Sequence, residues 1–137
     1  MAERVRFGSR GPWEDRVGYS RAVRVGDSVF VAGTTAVDDD GKPVGVGDAY
    51  AQAVAILKRI EAVLVRAGSG MRDVVRTRMF VTDIGRWEEI GRAHAEFFRD
   101  VRPVSTMVEV SRLIAPEMLV EIEVEARVGS GLAAGND

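Results

Sequence analysis

The groups able to do chemistry in this chain are few, and the densest set lies on one segment. Glu121, Glu123 and Glu125 alternate with Val120, Ile122, Val124 and Ala126, which predicts a strand from Leu119 to Val128 with one acidic and one apolar face. Carboxylates on alternate strand positions stand about 6.6 Å apart at ~3.3 Å per residue. Any one of them could position a water molecule as a general base. They would equally take ion pairs from Arg76 and Arg78, which alternate on another strand-like run. A solvated or ion-paired face is the ordinary fate of such a charge run. The other candidates are weaker. His94, the sole histidine, falls on an apolar stripe between Ile90 and Phe97 and is expected to be a packed, hydrogen-bonded residue. Ser-His catalysis would need a serine brought to it, and nothing in the sequence marks one. Asp38-Asp39-Asp40-Gly41 begins like a calcium loop but has no glutamate to close it, so a turn is expected. Gly45 and Gly47 lack the third glycine of a nucleotide fingerprint.

The elements that must hold these groups follow from periodicity. Tyr50, Ala53, Val54, Leu57, Ile60, Leu64 and Ala67 recur at helical spacing, with Asp48 placed to cap the start and Gly68 the end, so a helix is expected from Asp48 to Ala67. A second helix is expected from Arg86 to Phe98, with Trp87, Ile90, His94, Phe97 and Phe98 on one stripe. Strand runs at Tyr19–Val25 and Ser28–Gly33 flank Gly26-Asp27 and predict a hairpin. Val74–Thr82 and Val104–Val110 also alternate, and Val5–Phe7 suggests one more short strand. The order is β-β-α-β-α-β-β. Strands with one apolar face and two amphipathic helices imply an α+β two-layer fold, with both helices on one side of the sheet. The other sheet face is left bare, and the alternation is read as placing Arg76, Arg78, Ser105, Met107, Glu109 and the glutamates there.

Composition bounds the function. A chain of 137 residues with 46% hydrophobic content can bury one core, and a single domain over residues 1–137 is expected, with loose termini at 1–12 and 129–137. Without cysteine there is no disulfide, thiolate nucleophile, Fe–S cluster or cysteine-based zinc site. One histidine excludes a histidine-rich metal site within one chain, and no metal or cofactor is called for. The net charge of −2 argues against grip on nucleic acid or an anionic membrane. No run approaches the ~20 apolar residues of a membrane span, no secretory signal pattern is evident, and a cytoplasmic location is the default expectation.

Several segments taken together resemble the reactive-intermediate deaminase family (Rid, or YjgF-type proteins). They are Gly18-Tyr19-Ser20-Arg21-Ala22, Val29–Gly33, Asp73–Thr77 with Phe80–Asp83, Phe97-Phe98, Val108–Leu113 and Val120–Glu123. The resemblance spans about Gly18 to Arg127. It implies a chorismate-mutase-like fold assembled as a homotrimer, which would cover the bare sheet face, with small-molecule clefts between subunits. It implies hydrolysis of enamine or imine metabolites to carbonyl compounds and ammonia.

By the same resemblance, Glu121 matches the glutamate that positions water, Tyr19 the ring lining the cleft and Gly33 the glycine approached by ligand. Met107 matches the position whose backbone contacts ligand. Ser105 stands where deaminating members carry a substrate-binding arginine. A serine cannot replace that bidentate charge, and its loss is worth about 2–4 kcal/mol. Arg78 or Arg102 is the candidate for a displaced cation. The expectation is therefore a trimer that binds and hydrolyses a small imine, enamine or carbonyl metabolite, with little action on 2-aminoacrylate. A non-catalytic metabolite-binding or regulatory trimer is the alternative. An endoribonuclease, an activity known among relatives, is disfavoured by the charge.

Overall fold

The computed structural model describes residues 3–132. Six strands form one sheet in the order β1-β2-β3-β6-β4-β5, and only the β4–β5 pair is parallel. The strands are β1 (Arg4–Phe7), β2 (Ala22–Val25), β3 (Ser28–Thr34), β4 (Val74–Val81), β5 (Val104–Glu109) and β6 (Val120–Arg127). The helices are α1 (Trp13–Val17), α2 (Ala49–Arg66) and α3 (Trp87–Phe98). The β2–β3 hairpin turns at Gly26-Asp27, where Gly26 takes φ 58°, a conformation that favours glycine.

The helices lie where the apolar alternation demands. Val29 and Val31 of β3, Val120, Ile122 and Val124 of β6 and Met79 and Val81 of β4 face α2 and α3, all less than 5% exposed. The buried face of α2 is turned relative to the stripe read from spacing. Gln52, Ile56 and Val63 are buried with Leu57, Ile60 and Leu64, while Tyr50 and Val54 are half-buried. Asp48 does cap α2, its carboxylate accepting from Ala51 N–H at 2.9 Å. On α3, Ile90, Ala93 and Phe98 are buried, whereas Trp87 at the first turn is 55% exposed.

Three expectations are corrected. The segment 1–12 is not loose over its described part, because Arg4–Phe7 pairs with β2 and Glu14 accepts from Ser9 N–H at 3.0 Å. The short helix α1 has no apolar periodicity to announce it. Of the tail from 129, Ser130–Leu132 forms a 3-10 turn, with Gly131 N–H donating to Asp73 at 3.0 Å; residues 133–137 lie outside the described residues. The third correction concerns β5. Its register with β4 pairs Ser105 with Thr77, Met107 with Met79 and Glu109 with Val81, so these residues share the helix side of the sheet. The bare face of β5 carries Val104, Thr106 and Val108 instead.

Gln52 ties the helix layer to the start of β6. It is 1% exposed. Its amide nitrogen donates to Glu117 O at 2.8 Å and Gly45 O at 3.2 Å, and its oxygen accepts from Leu119 N–H at 2.9 Å. These bonds anchor the loop that delivers Glu121. Replacing Gln52 with alanine would remove all three bonds together with the buried side chain that makes them, and we expect a loss of about 2–4 kcal/mol in urea denaturation.

Candidate active site

β6 runs antiparallel to both neighbours, so its first residues meet the last residues of β3 and β4. Glu121 sits at this end, opposite Phe80 on the bare face. The pairing of β3 with β6 is irregular between Val31 and Thr34, which places Gly33 under the Glu121 side chain. A Cβ at Gly33 would lie 2.8 Å from Glu121 Oε2 and 3.0 Å from its carboxyl carbon, so glycine is required for the carboxylate to rest there. On the far side of Gly33, Arg21 precedes β2. Its guanidinium donates to Gly33 O at 2.6 Å and stacks 5.8 Å from the Tyr19 ring. Arg21 Nε is buried with no hydrogen-bond partner among the described residues.

The glutamates of β6 have different fates. Arg78 Nη1 lies 3.3 Å from both Glu123 and Glu125, and Arg76 Nε lies 3.7 Å from Glu125. These pairs are partly exposed and contribute at most about 1 kcal/mol each. Glu121 makes no ion pair or hydrogen bond with a described residue. Burial pushes its carboxyl above the ordinary glutamate range, the nearby Arg21 charge pulls the other way, and Glu123 adds to the rise. Arg59 of α2 lies within the field of Arg21 and donates to Thr35 O at 2.6 Å. The Arg21 guanidinium and the Glu121 carboxylate thus meet at Gly33, near the end of β3, with Arg59 beyond Arg21 at Thr35.

The sequence-named residues fall into two groups. Tyr19, Gly33 and Glu121 come together, joined by Arg21, whose role the sequence does not single out. Ser105 and Met107 lie across β4, on the opposite face; Ser105 is three residue steps farther along the strands, roughly 10 Å by strand rise. Arg78, the expected displaced cation, is held by Glu123 and Glu125. Arg102 adopts φ 54°, and its Nε donates to Arg99 O at 3.0 Å. The one sequence signal for Arg21 is its place two residues after Tyr19, on the same side of an extended run.

A groove of about 650 Å3 opens on the bare face beside this cluster and is lined by Tyr19, Ala32, Phe30, Arg6, Glu14 and Glu123 among others. Glu121 is not among its lining residues, though Glu123, two positions along β6, is. One chain therefore leaves the carboxylate at the rim of an open surface. The described residues hold no cluster of side chains suited to a metal ion, and no helix among them is long and apolar enough to cross a membrane.

A family model described as Endoribonuclease L-PSP matches residues 13–128. A Streptomyces coelicolor protein described only as uncharacterized is 44% identical over 93% of this chain and 92% of its own. The 3-aminoacrylate deaminase RutC of Acinetobacter baylyi is 34% identical over 80% of this chain and 86% of its own. A crystal structure of a YjgF/YER057c/UK114 family member from Mycobacterium tuberculosis superposes with a TM-score of 0.84 at 51% identity, covering 92% of this chain and all of that one. The fold is the chorismate-mutase-like α+β architecture of that family.

The raised carboxyl has a consequence for stability. A group whose folded value is raised binds its proton more tightly when folded, so its contribution falls as pH rises from the ordinary glutamate range through the raised value. At neutral pH the ionised Glu121 is a net cost. Glu121→Gln should unfold at a higher temperature than the parent at pH 7, with the gap closing as the pH falls below the ordinary glutamate range, in thermal melts followed by circular dichroism. A parent protein equally stable to the variant at pH 7 would show that Glu121 is not desolvated.

Proposed function

The chain belongs to the Endoribonuclease L-PSP family of YjgF-type proteins, and on that premise we propose that it binds and hydrolyses a small imine, enamine or carbonyl metabolite at clefts between the subunits of a homotrimer. The observation that carries this reading is Glu121, half-buried, raised by desolvation and left without a partner beside Arg21 and Gly33. A carboxylate with a purely structural role would have been given a cation, as Glu123 and Glu125 have been. The trimer supplies what one chain lacks, a wall facing Glu121 and a cover for the bare sheet face, where Phe30 is 47% exposed and Val104 60%.

The chemistry follows from the charges. Ionised Glu121 accepts a proton from a water molecule as its oxygen attacks the C=N carbon, and the imine nitrogen takes up a proton. The resulting carbinolamine collapses as Glu121 returns its proton to the departing nitrogen and the hydroxyl proton passes to solvent, replacing the one the imine nitrogen drew from solvent, to leave a carbonyl compound and ammonia. Arg21, with Arg59 behind it, holds negative charge on the substrate and favours ionised Glu121. Arg21 is thus the cation of this site, in place of the expected Arg78 or Arg102. Tyr19 packs against the ligand at the mouth. A non-catalytic metabolite-binding trimer is the second reading, favoured by Ser105 at the position where deaminating relatives carry arginine. RNA cleavage, which the family description names, is the less favoured reading, because the arginines of the bare face of β4 are paired with glutamates and the chain carries a net charge of −2.

Imines generated by an amino-acid oxidase in the presence of semicarbazide provide the assay, hydrolysis being read as loss of trapped product. The parent protein should hydrolyse one or more imines, with Glu121→Ala slower by about 100-fold or more and Arg21→Ala raised chiefly in KM. Gly33→Ala should stay folded yet lose much of the activity by displacing the carboxylate. Parent protein silent towards every imine, with ligand affinity unchanged in Glu121→Ala, would establish the binding-protein reading. Light scattering of the purified protein should give three times the chain mass.

A further inference from the structure

Strand β5 is the edge of the sheet in one chain, and Ser105 is exposed on it. Behind that serine lies a chain of polar groups that the carboxylate chemistry does not use. Ser105 Oγ is 2.8 Å from Thr77 Oγ1, and Thr77 Oγ1 is 2.9 Å from His94 Nε2. Thr77 is fully buried on β4, directly opposite Ser105 in the parallel register, and His94 comes down onto it from α3. The sequence marked no serine for the lone histidine; the fold brings one to it through a threonine.

The relay is neutral and directional. Burial alone lowers His94 from its ordinary value, so the ring is uncharged near pH 7, and its other close neighbour is the Phe98 ring at 4.7 Å. No carboxylate stands behind the imidazole and the serine does not touch it, so this is not the arrangement that deprotonates a nucleophile. Thr77 has one hydroxyl proton, which at 0% exposure must be donated to one of these two partners rather than left unpaired, so its two hydrogen bonds run head to tail. If Nε2–H donates to Thr77, Thr77 donates to Ser105, and the Ser105 proton is left for an outside acceptor. If Nε2 accepts from Thr77, Ser105 donates inward and offers its lone pairs to an outside donor. In both states the exposed end is an oriented, uncharged hydroxyl.

We propose that Ser105 is a ligand-binding residue held by Thr77 and His94 as positioning residues, and that the β5 side of the cleft receives an uncharged polar group of the substrate, such as a carboxamide, ketone or hydroxyl, where a guanidinium would receive a carboxylate. This deepens the function proposed above and rests on its placing of the cleft. Any anionic group of the same substrate goes to the Arg21 end.

The single histidine makes the relay directly visible, since a long-range 1H–15N spectrum contains one imidazole. Pyruvamide and pyruvate serve as matched uncharged and anionic probes. Ser105→Ala and Thr77→Val should each change the imidazole nitrogen shifts of the free protein, and pyruvamide should change them in the parent but not in Thr77→Val. Calorimetry should find pyruvamide binding weakened about 3- to 10-fold by Ser105→Ala, with pyruvate altered less than about twofold. Ser105→Arg should reverse the preference towards pyruvate. Pyruvamide affinity unchanged in Ser105→Ala, an imidazole indifferent to pyruvamide, or no pyruvamide binding would each overturn the proposal. Every readout is independent of turnover, so absent hydrolysis alongside intact discrimination between the probes would fault the catalytic reading alone.

Discussion

Strand β6 is hydrogen-bonded on both edges, to β3 and to β4, and its register determines on which face every functional group lies. Val120, Ile122, Val124 and Ala126 must meet α2, because exposing four apolar side chains would forfeit roughly 1.5–3 kcal/mol for each large one. A slip of one residue would exchange the two faces entirely. The burial of the valines therefore fixes the direction of the glutamates. The Gln52 bonds at Glu117 and Leu119 fix where the strand begins.

Within that frame, neighbouring carboxylates are given different chemistry by small differences in surroundings. Glu123 and Glu125 face the arginines of β4 and form a partly exposed ion-paired ladder. Glu121, two residues earlier, faces Phe80 on that side and the irregular end of β3 on the other. The missing side chain of Gly33 makes room for its carboxylate, and the Gly33 carbonyl holds the Arg21 guanidinium close by. The result is a desolvated carboxylate beside a cation with neither quenching the other, a state that costs stability and suits a group that must accept and return a proton.

The same sheet separates charge from neutrality. The end that holds Glu121 carries Arg21, while Ser105 on the β5 edge offers a hydroxyl backed by a buried threonine and an uncharged imidazole. In a single chain these two regions lie on opposite faces. A cleft that used both would have to take one from each of two subunits, which is consistent with the open groove and exposed apolar side chains of the bare face.

The elements and most of the fold were legible in the sequence because hydrophobic period is local. The alternation of β6, the helical spacing of α2 and α3 and the Gly26-Asp27 turn each need only a few consecutive residues. The family motifs also lie on contiguous segments, and so did the positions of Tyr19, Gly33 and Glu121. What the sequence could not show depends on which strands become neighbours. β4 and β5 are joined through α3 and pair in parallel, and that register alone turns Ser105 towards Thr77 and His94. Arg21 reaches Gly33 across the hairpin that the Gly26-Asp27 turn predicts, but the approach depends on the irregularity at the end of β3, which no local signal marks, whereas the alternation of Arg78 leads only to the glutamates it pairs with. Period assigns a side chain to a face; only tertiary packing decides which groups meet there, because the 2.8 and 2.9 Å contacts of Thr77 are made by a strand and a helix that chain distance alone does not bring together.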